Sequence, residues 1–292
     1  MAGEGFGRDH THGPGYRCDG VVIAGTTEGR RVIDALNRQG YVLAATVATA
    51  LGEDVLEGVY GRASTMIFQG KRDFDGFCRL FGELSPGFVV DASHPFAVAV
   101  TETVKNACQS LGIPYVRFVR PEDAPENPCA PDGDAGDGSR LYRVDDAVQA
   151  AKLLSRLPGN ILLTTGANTA HVYVNGIEDF NERGYIRVLD TEASVAACQS
   201  AGICSDHILA CRPPFTVEDN LAAIKKYNIR ILVTKDSGAA GGVPQKLESI
   251  RQAGITGVIL RRPAEDPAEN AASLEELFVW LKGLPGAGKR EI

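Results

Sequence analysis

An α/β protein of two Rossmann-like, doubly wound parallel-sheet domains, with the active site in the cleft between them, is what the sequence predicts. Its 292 residues are about twice a common domain length of roughly 150. Short apolar runs rich in β-branched residues alternate with amphipathic stretches of about ten to fifteen residues, the pattern of βαβ units. Near the middle, residues 122–140 break that alternation with prolines, acids and no apolar periodicity, which reads as a linker.

The first domain is expected over residues 20–121. A β-branched strand at 21–24 leads through Gly25-Thr26-Thr27-Glu28-Gly29-Arg30 into a helix over 28–38. Val32, Ile33 and Leu36 share one face of that helix, and Gly40 stops it. Strands follow at 41–47 and 65–68, and Asp73 opens a helix that runs to Leu84. A buried strand at 88–90 ends at Asp91; a helix over 96–111 stops at Gly112, and a strand at 115–119 closes the set. The second domain is expected over 141–283. It holds a helix at 145–157, strands at 161–163, 185–189, 208–210, 231–233 and 258–260, and a last helix at 274–281. One of its helices is capped by Thr216 with Asp219 three residues on, a capping-box pattern. Residues 1–19 and 284–292 read as tails.

Composition narrows the function. Thirty Lys and Arg against thirty-seven Asp and Glu leave a net charge of −7, which repels nucleic acid and anionic membrane surfaces. Any anionic ligand must be held by local clusters of donors. There is no secretory apolar segment and no run long enough to span a bilayer, so a cytoplasmic protein is expected. Seven cysteines, an odd number, argue against a disulfide framework. Cys198, Cys204 and Cys211 lack zinc-site spacing, and His10 and His12 sit in a tail, so no metal is expected.

Four motifs sit at strand ends, the edge where open α/β sheets bind ligands. Gly25, Thr26, Thr27, Glu28, Gly29 and Arg30 form a glycine-bearing strand-to-helix turn suited to a pyrophosphate at a helix N-terminus, although the spacing is not G-x-G-x-x-G. A plain turn fits that spacing nearly as well. The acid that usually binds a ribose 2′-hydroxyl is missing, since the second strand ends in Val47-Ala48-Thr49. Asp91-Ala92-Ser93-His94-Pro95-Phe96-Ala97 places two titratable groups, Asp91 and His94, in one turn, with helix capping as the plainer reading. Thr164, Thr165 and Gly166 offer hydroxyls beside a glycine. Thr234-Lys235-Asp236-Ser237-Gly238 with Gly242 and Lys246 joins two ammoniums to bare backbone amides, an anion site in an acidic chain. Arg212, Arg261 and Arg262 could add charge to the same rim. By contrast, the Walker-like Gly283-Leu284-Pro285-Gly286-Ala287-Gly288-Lys289 has Arg290 where Ser or Thr should follow and no preceding strand.

Taken in order, these four motifs resemble the precorrin-6A reductase (CobK/CbiJ) family of cobalamin biosynthesis over roughly residues 20–263. The resemblance implies nicotinamide-dependent reduction of one double bond in a metal-free or cobalt-containing corrin-pathway macrocycle, with NADPH or NADH as cofactor. The missing strand-end acid leans toward NADPH. It also implies a tetrapyrrole held between two Rossmann-like domains, and possible contact with other enzymes of the pathway. On that reading Asp91 stabilises the positive charge of the acceptor and His94 or water balances protons. Gly25 to Arg30, Ser93, Thr165 and Gly166 hold the cofactor. Lys235, Ser237, Gly242, Lys246, Arg212 and Arg262 hold substrate carboxylates or cofactor phosphate. Two other readings share the architecture: a two-domain nucleotide-sugar glycosyltransferase, and a non-catalytic nicotinamide-nucleotide sensor.

Overall fold

The computed structural model describes residues 18–48, 65–119, 133–134, 138–264 and 266–285. The first stretch of elements is β1 (Gly20–Ile23), α1 (Thr27–Arg38), β2 (Leu43–Val47), β3 (Thr65–Gln69), α2 (Phe74–Leu84), β4 (Phe88–Asp91), α3 (Val98–Leu111) and β5 (Tyr115–Phe118). Then come β6 (Gly133–Asp134), β7 (Arg140–Val144), α4 (Ala147–Leu154), β8 (Asn160–Leu163), α5 (Ala170–Gly176), α6 (Phe180–Arg183) and β9 (Gly184–Leu189). They are followed by α7 (Glu192–Ser200), β10 (Ile208–Cys211), α8 (Val217–Lys226), β11 (Ile229–Lys235), α9 (Val243–Ala253) and β12 (Thr256–Leu260). The chain closes with β13 (Asn270–Ala271) and α10 (Leu274–Lys282).

Local chemistry sets several boundaries. Thr26, Asp73, Asp146, Thr191, Thr216 and Ser273 each cap a helix by accepting from a first-turn amide. Thr216 and Asp219 form the expected reciprocal box. β1, β2 and β4 are buried along their whole length, as a parallel sheet covered on both faces requires.

The first sheet runs β3-β2-β1-β4-β5-β13 with all six strands parallel. The second runs β10-β9-β8-β11-β12-β7, also parallel, with β6 added antiparallel outside β7. The first order reverses direction between β1 and β4; the second reverses between β8 and β11, and steps back again from β12 to β7 at its edge. Ligands of doubly wound sheets bind outside the carboxyl ends of the strands at such a switch point.

The expected second domain of residues 141–283 needs correction. One compact unit joins Met1–Pro121 to Ala264–Ile292, and the other spans Glu122–Pro263. The cause is pairing and packing: Asn270 and Ala271 of β13 align with Arg117 and Phe118 at the edge of β5. Leu277 and Leu281 of α10 are buried in the same core as Leu36, Phe88 and Val116, and Trp280 meets the Phe88 ring edge-on at 6.5 Å. Meanwhile β7, which follows β5 along the chain, lies in the second sheet. The sixth parallel position of each sheet is thus filled by the strand that chain order would assign to the other.

Two smaller boundaries also move. Gly133 and Asp134 pair with β7, and β7 begins at Arg140, so the expected linker through residue 140 is partly sheet. Leu284, expected in the C-terminal tail, packs against the first unit's core. Residues 1–17 with His10 and His12, Thr49, and residues 286–292 of the Walker-like segment lie outside the described residues.

Candidate active site

All four motifs fall on the two switch points. In the first unit, Thr26 does two jobs at the mouth between β1 and β4. Its Oγ1 accepts from the Gly29 amide at 2.9 Å, and it donates to the Ala92 carbonyl at 2.7 Å, strapping the glycine turn to the loop after β4. Gly25 holds φ +111 with open space where a Cβ would project, a backbone that a side chain would strain. Gly29 is different: a Cβ there would sit 3.1 Å from Ala24 Cα, so its absence lets α1 press against the end of β1. The first-turn amides of Thr27 and Glu28 have no acceptor among the described residues and carry the positive end of the helix. Arg30 donates to Thr27 Oγ1 at 3.2 Å.

The loop after β4 is organised by a group that sequence reasoning did not single out. Arg117, in the interior of β5, is 3% exposed and pairs with Asp91, itself 0% exposed, at 2.9 Å. The same guanidinium donates to the Asp91 carbonyl, to Ser93 Oγ at 3.0 Å and to the His94 carbonyl at 3.4 Å. Asp91 also accepts from the Ser93 amide at 2.9 Å and from the Tyr115 hydroxyl at 3.2 Å. Burial first, and then the Asp91 charge, hold the Tyr115 phenol far above its ordinary range and the Cys108 thiol at about 12. Both its oxygens are engaged and neither reaches solvent, an arrangement that ties the loop after β4 to β5. His94 is exposed; its Nδ1 accepts from the Phe96 amide at 3.2 Å and its ring lies against Phe96.

At the second switch point, the Thr164 hydroxyl and amide both donate to the Val233 carbonyl, tying the end of β8 to β11. Thr165 beside it is buried, and Gly166 turns the chain at φ +82. The Thr165 hydroxyl faces Tyr173, a wholly buried phenol that burial raises to about 12. After β11, Ser237 closes on the Lys235 carbonyl, and Arg262 Nε donates to the Asp236 carbonyl at 2.8 Å. Gly241 leaves no room for a Cβ, which would collide with Ser237 Oγ. Lys246, 8% exposed, folds back from α9 to donate to the Gly241 carbonyl at 2.8 Å. Burial, and then Arg187, lower it to about 8; burial also lowers Lys235.

Thr165, Gly166, Lys235, Ser237, Gly242, Lys246 and Arg262 therefore share one sheet edge. Arg212 does not join them: it is 83% exposed at the end of the outer strand β10, facing Asp190 at 3.5 Å. Arg261 likewise pairs outside with Asp145 at 3.0 Å. Besides Arg117, the residue sequence reading missed is Arg187 of β9, buried beneath the same rim. Both arginines interrupt apolar strands, Tyr115–Phe118 and Gly184–Leu189. A cation inside a buried parallel strand needs a partner, and that was the available signal. Among the described residues no group of three or more His, Cys, Asp or Glu could hold a metal, and no helix is long and apolar enough to cross a membrane.

The model of the precorrin-6x reductase CbiJ/CobK family matches residues 21–282. The chain belongs to that family. A cobalt-precorrin-6A reductase from Methanothermobacter thermautotrophicus is 34% identical over 247 residues, covering 83% of this chain and 76% of that protein. The precorrin-6A reductase of Rhodococcus erythropolis is 28% identical, covering 89% and 96%. The solved CobK precorrin-6A reductase superposes with a TM-score of 0.64 at 22% identity, over 94% of this chain and 99% of that one, and so shares the two-domain fold. The protein is an oxidoreductase of the precorrin-6x reductase type, and these likenesses support neither a glycosyltransferase nor a non-catalytic sensor.

Proposed function

We propose that the protein reduces one double bond of precorrin-6A or its cobalt form with NADPH, with cofactor phosphates at the first switch point and macrocycle carboxylates at the second. The observation that carries this is the glycine turn between β1 and α1. Open space at Gly25, the tight approach at Gly29 and two first-turn amides with no acceptor among the described residues suit a pyrophosphate brought against backbone. No acid stands in Leu43–Val47 to repel a 2′-phosphate, which favours NADPH over NADH.

Bound nicotinamide supplies the hydride; the chain's own residues bind, orient and exclude water. Thr26 fixes the turn to Ala92, so cofactor loop and β4 loop hold a common geometry. Asp91 and Arg117 set that loop, and His94 is its exposed titratable group, able to exchange a proton with the reduced macrocycle. Gly166 and the Thr165 hydroxyl border the second rim, and Lys235 and Arg262 offer positive charge there. With its six described cysteines all free, the enzyme suits the reducing cytoplasm, where other enzymes of the same route would supply its substrate.

The test is to mix the protein with precorrin-6A, and separately with its cobalt form, and to add NADPH or NADH. Cofactor absorbance and the macrocycle bands should change together, and faster with NADPH. A macrocycle spectrum that stays constant with both cofactors would sink the reading; equal rates would sink only the cofactor preference.

A further inference from the structure

Arg187 and Lys246 are two buried cations close enough for their charges to act on one another. Arg187 is 7% exposed and Lys246 8%. The Arg187 guanidinium donates through Nη2 to Asn220 Oδ1 at 2.8 Å and lies 4.0 Å from the Phe215 ring centroid. Lys246 Nζ donates to the Gly241 carbonyl. Among the described residues neither cation has a carboxylate within ion-pair distance. The titratable groups that face Arg187 are Cys211 of β10, a thiol, and Asp219 of α8. Asp219 is an exposed carboxylate already committed to the Thr216 cap. Lys246 feels Arg187 as a second cation, and Lys235 closes the neighbouring strand end with another. One residue before Lys246, the Gln245 amide oxygen is buried without a donor.

Unpaired buried charge is costly, and two of one sign more so. A fold that keeps this arrangement gains from it only when the missing negative charge arrives from outside. We propose that Arg187 and Lys246 together bind one carboxylate of the substrate, with the guanidinium edge and the ammonium each donating to an oxygen. A carboxylate is the anion proposed because it is the anionic group of the macrocycle assigned above, and its two oxygens match the guanidinium edge. The proposal deepens the functional reading above and rests on it for the identity of the ligand, but not for the existence of the site.

The full chain is melted without ligand, with citrate as a free polycarboxylate, and with inorganic phosphate, as wild type, Lys246→Met, Lys246→Arg and Arg187→Gln. Removing one of two repelling cations should leave ligand-free Lys246→Met melting at or above wild type. The same variant should lose the citrate-induced rise in melting temperature, and Lys246→Arg should keep it. With the macrocycle, KM for Lys246→Met should rise roughly tenfold or more, the loss expected for a charge-assisted hydrogen bond, with kcat little changed. The pH dependence adds a second readout. Lys246 binds its proton less tightly folded, near 8, than unfolded, near its ordinary value of 10.5. Between those values the unfolded chain holds the extra proton, so folding is favoured as pH rises. Wild type should therefore gain on Lys246→Met between pH 8 and 10, a comparison in which the other titrating groups cancel.

Lower melting of Lys246→Met with the citrate response intact would make Lys246 a structural prop and overturn the proposal. So would a wild type indifferent to citrate, or one stabilised more by phosphate. Should Lys246→Met not fold, Arg187→Gln decides by the same loss of response. A normal citrate response without macrocycle reduction would sink the functional reading and leave the site standing.

Discussion

At the scale of the residue, the decisive group is Arg117, whose one mark in the sequence is a cation inside an apolar strand. Arg117 stands third in Tyr115–Phe118, where a parallel strand buried on both faces reads as apolar whatever one position holds. Its partner Asp91 was legible, because an acid closing an apolar strand marks a sheet's carboxyl edge, but its burial was not. Which way the carboxylate turns depends on a cation two dozen residues away in sequence and one strand away in the sheet. The pair yields a prediction that separates two roles in one loop. Asp91→Ala removes the carboxylate that faces the buried Arg117 guanidinium, so it should cost about 3–5 kcal/mol of unfolding free energy in denaturant titration, and turnover should fall with it. His94→Ala touches an exposed ring, so stability should change by less than about 0.5 kcal/mol while turnover falls. If Asp91→Ala unfolds like wild type yet loses turnover, the carboxylate acts on substrate after all.

At the scale of the element, the strand-to-helix turns were the most legible parts. α1 announced itself through Val32, Ile33 and Leu36 on one face, and all three are buried. The caps at Asp73 and Thr216 behaved as short-range chemistry dictates, since the side chain and the amides it serves are only three residues apart. Less legible was β13, two residues long and too short for any periodicity, as were β7 and the strap from Thr26 to Ala92, which spans 66 positions. That strap and the Gly29 approach make a prediction for α1 as a unit. In Gly29→Ala the new methyl meets Ala24 at 3.1–3.2 Å, and neither atom belongs to a flexible side-chain end. The helix start must retreat, at a cost of about 1–3 kcal/mol. Because the retreat moves the cofactor turn, NADPH affinity measured by fluorescence titration should fall more than citrate affinity does. Equal losses in both would mean general loosening of the fold.

At the scale of the whole molecule, alternation of strands and helices revealed two doubly wound sheets but could not say which sheet each strand joins. Local pattern is blind to that choice, because β7 and β13 each follow a completed five-strand succession and neither carries an apolar run that marks its sheet. Only packing decides, here through Leu277, Leu281 and Trp280 against Phe88 and Val116. A chain ending at Pro263 would keep every residue of the second unit and still damage the first. It would uncover the edge of β5 and remove the Lys105–Glu269 ion pair. Such a truncation should show selective protease cleavage within residues 18–119, with 140–260 protected; uniform resistance would mean that β13 and α10 are dispensable.

The exchanged strands also order events during synthesis. A ribosome delivers the first unit's opening residues before any of the second unit exists, yet holds back that unit's closing strand and helix until the second unit has been made. Domains generally fold as units, N-terminal first, as they emerge. Here the earlier-made domain must wait with an open sheet edge while the later-made one is completed, so the part of the chain that is translated first is the last to be finished.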